Sequence, residues 1–241
     1  MIKIWHISDT HGHHEQLKVP PNVDLVIHSG DASNFRDPYR NEHEMHQFLT
    51  WFSKLPIKNK LFVPGNHDTS IERGLIDREH IDSLGIELCI MNSITFPELN
   101  NLKVWGAPYV PRYGDWAYMK PRSKMMDKVW DHIDSDADII VTHTPPQGIL
   151  DYSDRRISDP NTGKSITVVE ACGCLSLMKV INKINPKLNC FGHIHSTRGI
   201  HNTGTRTLPG LKTIFSNAAC CVDGEKDRMT YNGNVIILDV S

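Results

Sequence analysis

No stretch of this 241-residue chain approaches the roughly 20 consecutive apolar residues that a membrane-spanning helix needs. Nor do the first residues read as a secretory leader. Lys3 and His6 interrupt the first apolar run and no small-residue cleavage site follows it, so the expected compartment is the cytoplasm. The chain also lacks an excess of charge of either sign. A formal net charge of -2 and a pI near 6.7 give no general attraction to polyanions, so a nucleic-acid partner would need a local basic patch. The longest candidates, Asp154-Arg155-Arg156 and residues 120–128, are short and interrupted. Cysteine is scarce in useful spacings: Cys89, Cys172, Cys174, Cys190, Cys220 and Cys221 include a Cys-x-Cys and an adjacent pair. These suit neither a disulfide framework nor a Cys-x-x-Cys zinc clamp, and they read as reduced, mostly buried thiols. Internal repeats, low-complexity tracts and composition breaks are absent, so residues 1–241 read as a single domain. With 39% hydrophobic and 22% charged residues, the chain can bury a substantial core.

What the chain does have is a series of short apolar runs, each ending in polar residues. Residues 2–8 are β-branched and apolar nearly throughout, as in a strand covered on both faces, and they end at Asp9-Thr10-His11-Gly12. Residues 24–29 form a second such run, ending in Gly30-Asp31, and residues 60–64 a third, ending in Gly65-Asn66-His67-Asp68. Between the last two, Met45, Phe48, Leu49, Phe52 and Leu55 recur at helical spacing. Strand, helix, strand in this order predicts parallel pairing through right-handed crossovers, with ligands beyond the carboxyl ends of the strands.

Farther along, residues 102–107 read as a strand. Residues 108–121 form a Pro-, Gly- and aromatic-rich loop, with Tyr109, Tyr113, Trp116 and Tyr118, long enough to make a functional wall or lid. A helix is expected over residues 123–133, capped by Ser123, then a strand over 138–142 delivering His143. Residues 150–165 read as a polar surface loop, 174–184 as a helix, and 188–191 as a buried strand opening onto Gly192-His193-Ile194-His195. Closing strands are expected near 214–215 and 235–240.

The strand-end residues are Asp9, His11, Asp31, Asn66, His67, His143, His193 and His195. Side chains at i and i+2 of an extended segment point the same way, so Asp9 with His11, and His193 with His195, can each face one pocket. Singly, Asp31 reads equally as a turn residue or helix cap, Gly65-Asn66 as a turn dipeptide, and His143 as a satisfied core histidine. Independent turns do not account for five polar clusters that all follow apolar strands. Oxygen donors mixed with imidazoles suit Mn, Fe, Zn or similar divalent ions, and the lack of thiolates argues against a structural zinc site.

As an ordered set, Asp9-Thr10-His11, Gly30-Asp31, Gly65-Asn66-His67-Asp68, His143 and Gly192-His193-Ile194-His195 resemble the calcineurin-like metallophosphoesterase superfamily. Thr142-His143-Thr144-Pro145-Pro146 with Asp151, and Ser216-Asn217-Ala218-Ala219, resemble its metallophosphoesterase-domain-containing branch and extend the likeness over nearly the whole chain. The resemblance implies a four-layer α/β/β/α sandwich with mixed sheets and a dinuclear centre. Asp9, His11 and His195 would hold one metal, Asn66, His143 and His193 the other, and Asp31 would bridge them. His67 would protonate the leaving group or stabilise the transition state; its acidic neighbour Asp68 reads, from adjacency alone, either as help in keeping it protonated or as a solvated side chain. The implied activity is a metal-dependent phosphohydrolase using a bridging hydroxide on small phosphomonoesters or phosphodiesters, nucleotides among them. Gly30-Asp31-Ala32-Ser33-Asn34-Phe35-Arg36 departs from the Gly-Asp-x-x-Asp-Arg-Gly of the protein phosphatases, which counts against a phosphoprotein substrate. Two alternatives remain: a nuclease, disfavoured by the weak basic character, and a non-catalytic metal-bound interaction scaffold, which loss of ligands would favour.

Overall fold

The computed structural model describes residues 1–159, 162–197, 199–222 and 228–240. Two mixed sheets dominate it. The first has the order Asn234–Leu238, Ile2–Ile7, Leu25–His28, Asn59–Phe62, Glu87–Leu88, parallel except for Asn234–Leu238. The second has the order Gly204–Thr207, Ile214–Asn217, Leu188–Phe191, Ile139–Thr142, Leu102–Ala107, Asn92–Phe96, with the four inner strands parallel and both edges antiparallel.

Alternation along each strand decides the layering, because successive side chains point to opposite faces. Ile4, Leu25, Ile27 and Leu61 of the first sheet meet Val104, Ile139, Val141 and Leu188 of the second in one buried cluster. Their neighbours in sequence face outward: Trp5, Ile7, Val26 and Phe62 pack under the helix Pro38–Ser53, and Trp105, Ile140 and Phe191 under the helices Lys124–Trp130 and Leu175–Ile184. The result is the four-layer α/β/β/α arrangement, with every inner strand covered on both faces. That is why these strands are largely apolar rather than alternating.

The helix Pro38–Ser53 starts where Pro38 can occupy the first turn and the Asp37 carboxylate accepts from Arg40 N at 3.0 Å. It buries Met45, Phe48, Leu49 and Phe52 completely, each burial worth about 1.5–3 kcal/mol. Ser123 caps its helix as expected, accepting from Met125 N at 3.3 Å. The six cysteines are thiols rather than disulfides, with Cys172 alone partly exposed. Among the described residues no helix is long and apolar enough to cross a membrane.

One expectation is corrected. Residues 150–165 do not form a surface loop: Tyr152–Ser158 and Ser165–Ala171 pair as an antiparallel hairpin, with Tyr152 opposite Ala171 and Ser158 opposite Ser165. It stands apart as a two-stranded sheet and buries neither face in the core. Without a buried face its strands need no apolar alternation, so the pattern that marks a strand is missing. The expected loop over 108–121 is pinched by a short parallel pairing of Val110–Pro111 with Met119–Lys120.

Candidate metal centre

Each polar cluster emerges just past the carboxyl end of an inner strand, and the two sheets aim their ends at one place. The turns there are sharp. Asp9, His11, Asp31 and His193 all have left-handed backbone, with φ of 51°, 43°, 57° and 68°, a conformation that costs a non-glycine residue of order 1–3 kcal/mol and gathers at functional sites. Backbone bonds from Asp9 N to Gly30 O (2.8 Å) and from His11 N to Asp31 O (3.1 Å) tie the first two turns together. Gly192 lets its strand close in: a Cβ there would lie 2.0 Å from Asp9 Oδ2. At Gly65 a Cβ would lie 2.2 Å from Asp31 Oδ1. Any side chain at either position would displace a carboxylate.

All eight candidate residues lie around this point. Three groups of donor atoms fall within 4.8 Å of one another: Asp9, His11 and His195; His11, Asp31 and His67; Asp31, His143 and His193. Asn66 joins through its Oδ1, 3.1 Å from His143 Nε2. Asn66 and His67 stand on a turn rather than in extended chain, which lets both side chains edge the same centre. His67 N donates to Asp31 Oδ1 at 2.7 Å, and its ring meets His11 edge-on at 4.8 Å.

The hydrogen bonds test whether a cation fits. His143 Nδ1 lies 2.9 Å from Ser29 O; a carbonyl only accepts, so Nδ1 carries the proton. Nε2 then faces Asp31 Oδ2 at 3.2 Å as well as Asn66 Oδ1. His11 repeats the pattern, with Nδ1 at 3.3 Å from Ser33 O and Nε2 at 3.4 Å from His195 Nε2, which itself is 3.0 Å from Asp9 Oδ1. Lone pairs brought this close repel unless a proton or a cation lies among them. A set of oxygens and imidazole nitrogens, with the outer nitrogens of His143 and His11 fixed by carbonyls, is the donor chemistry of divalent Mn, Fe or Zn.

The electrostatics agree. Burial lowers His11 to about 4, and burial together with the neighbouring His143 lowers His193 to about 3, so both imidazoles are neutral with lone pairs to offer. Burial would raise Asp9 and Asp31, but His195 beside the first, and His143 and His67 beside the second, hold both below the usual carboxylate range. On His143 burial works against charge, yet Asp31 and Asp9 outweigh it and raise the imidazole to about 9. A positive charge at this point, whether proton or metal, is what the carboxylates demand.

Asp68 does not serve His67 as the sequence suggested. Its carboxylate accepts from Asp31 N (2.9 Å), Ser33 N (3.0 Å), Ser33 Oγ (2.8 Å) and Gly65 N (2.7 Å), binding the loop that carries Asp31 to the one that carries Asn66. Other supports were not singled out from sequence. The Asn202 amide donates to His195 O (2.8 Å) and Tyr152 O (2.7 Å), joining the His193–His195 turn to the hairpin. Tyr113 Oη accepts from Asn66 Nδ2 at 3.2 Å, and Trp116 stacks on His67. The number of aromatics in residues 108–121 was the one available signal for the last two. Above the centre opens a cavity of about 630 Å3, lined by His11, Asp31, His67, His193 and His195 on its floor and by Arg112, Tyr113, Arg122, Asp154 and Glu170 on its walls.

A family model described as "Calcineurin-like phosphoesterase" matches residues 2–197. A UPF0046 protein of Caenorhabditis elegans is 31% identical over 247 residues, covering 97% of this chain and 79% of that protein. Metallophosphoesterase domain-containing protein 1 of Homo sapiens is 25% identical over 236 residues, covering 89% of this chain; the chain spans 65% of the human protein's length. A solved structure at 15% identity superposes with a TM-score of 0.60, covering 89% of each chain, and shares the fold.

Proposed function

Because the chain belongs to the calcineurin-like phosphoesterase family, hydrolases of phosphoric esters, we propose that it hydrolyses small phosphoesters at a dinuclear centre. In this reading Asp9, His11 and His195 hold one ion, Asn66, His143 and His193 the other, and Asp31 is shared. The observation that carries it is the approach of His143 Nε2 to Asp31 Oδ2 and Asn66 Oδ1, at 3.2 and 3.1 Å, while Nδ1 is committed to Ser29 O. Two divalent ions of the Mn, Fe or Zn class, when bound, supply charge for the phosphoryl oxygens and activate a water.

The chain's own residues do the rest. Ser29 and Ser33 carbonyls fix the tautomers of His143 and His11, so that Nε2 of each faces inward. His67 is half-buried on the floor of the cavity, within reach of an ester oxygen leaving on that side, and an imidazole delivers a proton near neutral pH. The cavity volume suits a small molecule. Its walls carry Arg112 and Arg122 against Asp154 and Glu170, a mixed lining that favours a compact phosphoester over the backbone of a long polyanion. Tyr113, 61% exposed at the rim, offers a ring face to a nucleobase, so nucleotides belong among the substrates to try.

The test is metal-stripped protein reconstituted separately with Mn, Fe, Zn, Ni or Mg and assayed on phosphomonoesters, phosphodiesters and nucleotides. Hydrolysis that returns with two ions per chain by elemental analysis is expected. Full activity after chelation, or with a single ion at saturation, would overturn the dinuclear reading.

A further inference from the structure

The His67 peptide is held firmly, its carbonyl accepting from Asn41 Nδ2 at 2.8 Å and Ser33 Oγ at 3.2 Å. Those bonds place the backbone but leave the ring free to turn. The ring is fixed by other means. Its Nδ1 lies 3.2 Å from Asn34 O, an acceptor, so Nδ1–H donates there and Nε2 is the nitrogen left for a substrate, giving up its proton to the leaving oxygen when the ring is the doubly protonated imidazolium. One face lies on the Trp116 indole, with centroids 4.0 Å apart and planes inclined by 27°. The Arg36 guanidinium sits 3.9 Å from a Trp116 ring centre. Both the arginine and the histidine thus lie against the indole, which is held by contacts to each.

The clamp is built into the loop. Arg36 Nη2 donates to Asp115 O at 3.2 Å, Ala117 N donates to Asn66 O at 3.1 Å, and Tyr118 N donates to Glu72 Oε1 at 2.7 Å. Trp116 is thus anchored on both sides along the chain, once to the residue that precedes His67. An aromatic packed only to cover apolar surface would not need a cation over its ring. Arg36 stacked there draws on the electron-rich face of the indole and keeps the ring from swinging away from His67.

We propose that Trp116 is a positioning residue that holds the His67 imidazole with Nε2 toward the leaving oxygen of a phosphoester. This rests on the phosphohydrolase reading of the site. A ring free to rotate would meet the leaving group only part of the time, and misplacement of a proton donor by about 1 Å costs up to roughly 10²-fold.

The test uses the full chain with Trp116→Leu, Trp116→Phe, His67→Ala and the Trp116→Leu, His67→Ala double variant, each checked for metal content and circular dichroism. Two diesters that differ only in leaving group, nitrophenolate against an alkoxide, are compared. Trp116→Leu should lower kcat about 10-fold on the alkoxide ester and much less on the nitrophenolate, with KM little changed. Trp116→Phe should recover most of the loss, and Trp116→Leu should add nothing once His67 is alanine. A raised KM at unchanged kcat, or an additive loss in the double variant, would make Trp116 a substrate platform and overturn the proposal. A readout free of turnover is the imidazole spectrum of metal-free protein, where the stacked indole shifts the His67 ring protons upfield and Trp116→Leu abolishes the shift. If those protons do not respond, the clamp is wrong whatever the kinetics. If they respond while the wild type hydrolyses no ester, the phosphohydrolase reading falls and takes the leaving-group role with it.

Discussion

Replacing Asn217 by alanine removes three hydrogen bonds from a side chain with no solvent exposure. Its Nδ2 donates to Leu150 O and Ile194 O, each at 3.0 Å, and its Oδ1 accepts from Ala219 N at 3.0 Å. The two carbonyls belong to different loops. Leu150 lies beyond His143 and has left-handed backbone at φ 50°, strained for a branched residue and dependent on outside bonds to stay there. Ile194 lies between His193 and His195. One amide therefore couples both turns to the end of the strand Ile214–Asn217. Each buried polar group left without a partner costs about 1–3 kcal/mol, so the three together should cost about 3–9 kcal/mol. That is a large part of the 5–15 kcal/mol typical of a folded domain.

Urea denaturation followed by circular dichroism measures the loss directly, and an unchanged m-value would show that the unfolded state is not what moved. The surviving folded fraction should also bind metal roughly 10–100-fold more weakly, since the turn bearing His193 and His195 has lost its support. Asn217→Asp should be worse than alanine, because it buries a charge and sets an oxygen against two carbonyls. A loss under about 1 kcal/mol with wild-type metal affinity would refute the reasoning, and a milder aspartate variant would show the amide is not the donor.

Three further outcomes are expected. His67→Ala should keep near-normal metal content yet lose roughly 10²–10⁴ in turnover, less with a nitrophenolate leaving group; an equal loss for good and poor leaving groups would assign His67 to the phosphoryl oxygens instead. Asp31→Asn should weaken both ions at once, read by metal titration, since Asp31 belongs to the donor groups of both His11 and His143; loss of one ion alone would contradict a shared carboxylate. His28 makes the fold sensitive to acid: burial, resisted by Asp9, lowers it from 6.5 to about 3, and its Nδ1 is already occupied in accepting from Gly30 N. Between pH 6.5 and 3 the unfolded chain binds a proton that the folded one refuses, so the stability is complete above 6.5 and is lost as pH falls. From pH 6.5 to 5 the loss should be about 2 kcal/mol, at about 1.4 kcal/mol for each pH unit. Metal-free His28→Gln should show a flatter dependence than metal-free wild type, and parallel curves would exclude His28.

The strand ends were legible because the inner strands are covered on both faces, so each apolar run stops where the chain leaves the sandwich. Asp9, Asp31, Asn66, His143 and His193 stand at those stops, and their order could be read without knowing which strands pair. The supports could not be read in that way. Asn202 joins Tyr152 to His195 across 50 and 7 residues of sequence, and Asn217 serves carbonyls 67 and 23 residues away; neither bond leaves any periodicity behind. The hairpin escaped for the converse reason, since strands that bury no face carry no constraint on alternation. Asp68 was visible as a motif residue, but adjacency to His67 suggested the wrong partner. Its four donors come from Asp31, Ser33 and Gly65, because a carboxylate buried between two turns is satisfied by the donors those turns expose, whichever imidazole stands next to it in sequence. A site of this kind is therefore written in two codes. The residues that face the centre follow from strand termini, and the residues that hold them follow from the backbone groups left unpaired when five tight turns meet.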